Sequence, residues 1–206
     1  MRKLTRNILD DNYTEDDVSL FKEFAVIIDN NYKDNEAHRS IWEYDKKIGG
    51  CGGYAAPLNP TVNPFNRLGD YRNVFRSLQY ARCDMFICCR PRNIITDSAL
   101  HVETLVKLLL STNFIYKYIS NKRELGKNIQ DLYIRNIISK TMFERLDNYR
   151  KILNLAKHDT DPNEENTFDY EDAVVFYFET RNIGNELLKL LKHPSLHKEY
   201  DIDESW

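Results

Sequence analysis

Between Ser139 and Asp159 apolar residues return every three or four positions: Met142, Phe143, Leu146, Tyr149, Ile152, Leu153 and Ala156. That period gathers them on one helical face, and Ser139 stands where an N-cap belongs. The same period recurs along most of the chain. Thr14-Glu15-Asp16-Asp17 opens like a capping box, and Val18, Phe21, Ala25, Ile28 and Tyr32 follow it, which predicts a helix over 14–33. Ile41, Trp42 and Tyr44 predict a second helical piece over 36–48, and Tyr71, Val74, Phe75, Leu78, Ala81, Arg82, Met85 and Phe86 a third over 70–89, stopped by Arg90-Pro91. Thr96-Asp97 is placed to cap SALHVETLVKLLLSTNFIYKYI, the expected central core helix, in which Glu103 precedes Lys107 by four residues in the favourable order. LGKNIQDLYIRNI predicts a shorter helix, and Asp169 with Asp172 opens a last long one through Leu191. Strand-like alternation is almost absent. The expected class is all-α: a helical N-terminal region over 1–96, a bundle of four or more helices over 97–192, and a polar tail over 193–206.

The pattern breaks hardest between Gly49 and Gly69, where five of the seven glycines and three of the six prolines fall. So many residues that weaken or break helices predict a long surface loop. Its GGCGG run lacks the following Lys-Ser/Thr and the strand-to-helix setting that a phosphate cradle needs. A second connector, DTDPNEENT, is acidic and separates the last two helices.

Composition narrows the classes further. With 29 basic and 32 acidic residues the net charge is −3, so no global basic field draws nucleic acid, and any RNA contact is expected to be local. No apolar run approaches the roughly 20 residues of a membrane span, and the N-terminus lacks the apolar stretch of a signal peptide. A soluble, cytoplasmic protein without membrane contact is expected. Cys51, Cys83, Cys88 and Cys89 are too few for a disulfide framework and lack zinc-site spacing, so reduced thiols are expected, with no metal and no cofactor.

Polar chemistry concentrates at the end of the Ser139–Asp159 helix. At about 100° per residue, Arg150, Asn154, Lys157 and His158 fall within an arc of about 100° beside the apolar stripe, so all four can border one groove. They serve equally as the solvated side of a core helix, with Lys157 and His158 offsetting its dipole. Arg181 sits among Val174, Val175, Phe176, Phe178, Ile183 and Leu187, a costly place for a charge unless it pairs or borders a cleft. Glu103, Glu179 and Asp159 are its expected partners.

Ala99-Leu100-x2-Glu103-x2-Val106-Lys107 on one helix, Leu125-Gly126 opening the next and Asn154-x3-His158 closing a third resemble, in that order, the HEPN superfamily. These are small helical bundles common in bacterial toxin, abortive-infection and CRISPR-linked proteins. The resemblance covers about residues 97–192. It implies a metal-independent ribonuclease site built across a homodimer from an Arg, a polar residue, three of any kind, and a His. Asn154 and His158 keep the last two, while Leu153 occupies the Arg position, with Arg150 one turn earlier. The implied chemistry has His158 as general acid or base in attack of an RNA 2′-hydroxyl on the adjacent phosphate, Asn154 beside it, and Arg150, Lys157 or Arg181 offsetting the charge. The apolar register predicts a buried Leu153, and Leu153 at the Arg position of the resembling motif implies weak or no ribonuclease activity without a partner. The competing expectation is a catalytically inactive all-α module that binds RNA or a protein partner.

Overall fold

The computed structural model describes residues 6, 8–9, 12–48, 72–113, 124–158 and 168–190. The expected loop over 49–69, the acidic connector and the tail over 193–206 lie outside the described residues. Those described form seven helices and no strand: α1 Glu15–Asn30, α2 Arg39–Ile48, α3 Arg72–Phe86, α4 Pro91–Asn113, α5 Leu125–Ile134, α6 Lys140–His158 and α7 Tyr170–Leu190. The protein is all-α.

Local sequence accounts for three of the starts. At α1, Thr14 Oγ1 accepts from the Asp17 amide (3.2 Å) while the Thr14 amide donates to Asp17 Oδ2 (3.1 Å), the reciprocal capping box. Ser139 Oγ accepts from the Met142 amide at 3.1 Å before α6. Asp169 and Asp172 exchange amide-to-carboxylate bonds of 2.8 and 3.3 Å at the head of α7. Each pairing satisfies amides that a helix start leaves without an intrahelical acceptor.

The start of α4 differs from expectation. It begins at Pro91, so Thr96 and Asp97 lie inside the helix and do not cap it. Proline at the first helical position forfeits only an amide that would have gone unused there. Thr96 Oγ1 instead donates back to the Arg92 carbonyl at 3.0 Å. The preceding turn is tight: Cys88 has φ 54°, and the Cys89 amide donates to the Asp84 carbonyl at 2.8 Å.

α4 packs against α3, α5, α6 and α7, and α7 against α4, α1 and α2. The central place expected for α4 is therefore shared. Every residue from Asp172 to Arg181 is buried, so α7 is enclosed on all sides over that stretch instead of along one stripe. Gly184 lets α7 approach α4, since a Cβ there would collide with the His101 imidazole. The N-terminal helices close over α7 with aromatic rings: Phe21, Phe24 and Tyr44 lie 5.2, 5.8 and 4.9 Å from Phe178, centroid to centroid. One core runs from Ile8 to Leu188, and residues 96 and 97 lie within α4.

Candidate functional site

The burial of Met142, Leu146, Tyr149, Ile152, Leu153 and Ala156 turns the opposite edge of α6 outward over its last two turns. Arg150, Asn154, Lys157 and His158 all line one groove of about 380 Å³ there. Its other walls are Glu103 of α4 and Glu124, Leu125 and Gly126 at the head of α5. The sequence motifs on three helices thus meet at one place. Gly126 has a steric role in that meeting: a Cβ on it would lie 3.3 Å from Arg150 Cδ and 3.4 Å from Nε. Without the Cβ, the Arg150 stem lies close against α5.

Leu153 lines the floor of the groove and is buried, 1% exposed, as the apolar register predicts. It supplies no charge. Among the described residues the lysine and arginine that line the groove are Lys157 and Arg150, and both are engaged by carboxylates. Arg150 donates through Nε and Nη2 to Asp147 Oδ1 at 3.0 and 2.7 Å, and Lys151 pairs with Asp147 Oδ2 at 2.9 Å. Burial works against the Asp147 charge, but Lys151 and Arg150 outweigh it and hold the carboxyl below its ordinary range. Lys157 Nζ spans from α6 to α4 and meets Glu103 Oε1 at 2.8 Å. Glu103 therefore reaches Lys157, a pairing that its spacing to Lys107 did not suggest. Asn154 and His158 are exposed at the rim. From the back of α6, Arg92 donates through Nε and Nη2 to the Ala156 carbonyl at 2.9 and 2.6 Å, which fixes the helix end carrying Lys157 and His158.

Arg181 is not brought to this groove. It is 1% exposed, and its Nε donates to Asp45 Oδ1 of α2 at 2.7 Å, while Glu103 and Glu179, two of its expected partners, bond to Lys157 and Arg145, and Asp159 lies outside the described residues. Tyr177 OH donates to the other Asp45 oxygen at 3.1 Å. Arg82 of α3 is also fully buried nearby; burial lowers its pKa, while Tyr177 and Asp45 pull it back up. Asp45 escaped the sequence reading, although it follows Ile41 by four positions and so shares the buried face of α2. A carboxylate on an apolar stripe is the signal that an inward-facing Arg elsewhere needs a partner.

A second pocket, of about 280 Å³, is lined by Ile8, Asn12, Thr141, Glu144, Arg145, Asn148 and Glu179. Its cation is committed. Arg145 holds Glu179 through Nε and Nη2 (2.5 and 3.0 Å) and Glu186 through Nη1, while Tyr13 OH donates to Glu179 at 3.1 Å. Burial opposes the charge of Arg145, and the two glutamates outweigh it. This is a structural clamp between α6 and α7. Among the described residues no group of three or more His, Cys, Asp or Glu is arranged to hold a metal ion, and Cys83, Cys88 and Cys89 are free thiols. None of the described helices is long and apolar enough to cross a membrane.

No family model, curated protein or solved structure matches this chain. The groove at the end of α6 has to be interpreted from its own chemistry.

Proposed function

We propose that this groove binds the phosphodiester backbone of RNA in a HEPN-like helical bundle, and that a single copy of the chain cleaves RNA weakly or not at all. The observation that carries the reading is the shared lining: Arg150, Asn154, Lys157 and His158 border one cavity, with Gly126 and Glu103 of the resembling motifs on its other walls. Arg150 and Lys157 offer charge to a phosphate, Asn154 offers an amide donor, and His158 offers an acid or base at the rim. Two further observations favour binding over cutting. Leu153 is buried where the resembling motif has its Arg, and the Arg150 guanidinium is turned to Asp147. Phosphoryl chemistry of this kind is favoured by a guanidinium aimed at the developing charge, and the Arg150 guanidinium that lines the groove faces Asp147 instead. The reading extends to a homodimer that completes the site across two grooves, in a toxin or phage-defence setting, as the resemblance implies.

Fluorescence anisotropy with a short single-stranded RNA tests the binding. The double change Arg150→Ala/Lys157→Ala is expected to weaken affinity by on the order of tenfold or more and to flatten its salt dependence. Unchanged affinity in that variant refutes the groove as the RNA site. For the chemistry, any metal-independent cleavage is expected to vanish in His158→Ala, and robust cutting that survives it refutes the assigned residue. Light scattering tests the dimer: a mass of one chain at micromolar concentration counts against it.

A further inference from the structure

Arg150 and Lys157 are held in unequal ways. Asp147 is bracketed by Arg150 at 2.7 Å and Lys151 at 2.9 Å, so Arg150 can leave for a phosphate while Lys151 still balances the carboxylate. Glu103 has Lys157 at 2.8 Å, on a side chain only 18% exposed against 37% for the lysine. Lys157 reaches across from α6 to α4 to make this pair, and both residues line the cavity.

A phosphate drawing Lys157 away would leave the Glu103 carboxylate, half-buried and poorly hydrated, beside an incoming anion. Like charges a few ångströms apart repel substantially at the effective dielectric near a protein surface. The same arrangement makes the carboxylate a stand-in for phosphate: it occupies the ammonium with the geometry a phosphate oxygen would use.

We propose that Glu103 is an internal competitor that holds the groove against polyanions by occupying Lys157, so that it sets the affinity threshold for RNA. The proposal rests on the reading of the groove as an RNA site. Asp147 does not share this role, because Lys151 relieves it.

The test uses the full chain and a fluorescein-labelled single-stranded oligouridine RNA, titrated by anisotropy across a series of KCl concentrations. Glu103→Gln keeps the size of the side chain and removes its charge. It is expected to bind about tenfold tighter than wild type, with a log-log salt slope steeper by about one, as freeing one further cation requires. Asp147→Asn is expected to tighten binding by less than about threefold. The gain must vanish in Glu103→Gln/Lys157→Ala, because it acts through the lysine. Glu103→Ser serves as a second charge-removing variant should Glu103→Gln fold poorly, with folding checked by circular dichroism. If both charge-removing variants bind no tighter while Lys157→Ala binds more weakly than wild type, the competitor role is refuted and the groove reading survives. If Lys157→Ala and Arg150→Ala both bind as wild type does, the groove reading itself fails and the competitor role with it. A tightening of Asp147→Asn equal to that of Glu103→Gln would reduce the effect to general surface charge and overturn the proposal.

Discussion

Two ion pairs of nearly the same length join distant helices in this protein, and they sit in opposite surroundings. Arg181 meets Asp45 at 2.7 Å with both side chains out of solvent, 1% and 0% exposed. Lys157 meets Glu103 at 2.8 Å at the edge of a groove, 37% and 18% exposed. In the first, neither charge has water to return to, and the Tyr177 hydroxyl adds a donor to the Asp45 carboxylate. In the second, water reaches the lysine more than the half-buried carboxylate, and a pair that is still partly solvated adds little to stability. Distance alone does not separate a charge locked in the core from one still open to water. Solvation does.

The sharpest way to break the comparison is to remove one partner of each pair. Asp45→Ala leaves the Arg181 guanidinium buried without its carboxylate and is expected to cost about 3–5 kcal/mol in urea unfolding, whereas Lys157→Ala should cost under about 1 kcal/mol. Equal costs would erase the distinction.

Acid offers a second handle on the buried side. His38 is wholly buried against Phe86, and among the described residues neither of its ring nitrogens finds a hydrogen-bond partner. Burial, then the neighbouring charge of Arg82, holds its pKa down to about 4, with Asp34 pulling the other way. Because the folded value is depressed from 6.5, the stability His38 contributes is fully present above that pH and is lost as pH falls toward about 4, where only the unfolded chain takes up the proton. The expected loss is on the order of 3 kcal/mol, measured as the difference in pH dependence between wild type and His38→Leu. Parallel curves for the two proteins would contradict it.

A smaller effect of opposite sign belongs to Asp97, which is half-buried against Asp84 where α3 meets α4. Burial, and then the charge and hydrogen bond of Asp84, raise its pKa to about 6. A raised acid contributes stability below its ordinary value of 3.8 and loses it as pH rises through about 6. Asp97→Asn is therefore expected to stabilise the fold by on the order of 1 kcal/mol near pH 8, after allowance for solvent screening, and by nothing near pH 4. A variant no more stable than wild type near pH 8 would remove the carboxyl pair from the account.

Much of the fold was legible in the chain because its causes are local. Thr14 with Asp17, Ser139 with Met142 and Asp169 with Asp172 cap helices through side chains within three residues. The arc formed by Arg150, Asn154, Lys157 and His158 follows from helical geometry, and so does the burial of Leu153 on the other side. Pro91 departs from the expectation in one respect: it begins a helix as well as following the end of one, so the cap expected at Thr96-Asp97 lies inside α4.

The sequence by itself determined that the chain is helical, where most helices begin, and which polar residues share an edge of α6, since a helix's period and its caps depend on neighbours along the chain. Only the tertiary structure decided which charges meet. Asp45 with Arg181, Glu103 with Lys157 and Arg92 with the Ala156 carbonyl join residues far apart in sequence, and nothing in the spacing of either partner specifies the other. Those choices follow from how α2, α4 and α6 pack against their neighbours. Packing fixes where each charge ends up, and with it how much water each retains, which separates the ion pair inside the core from the one at the groove's edge.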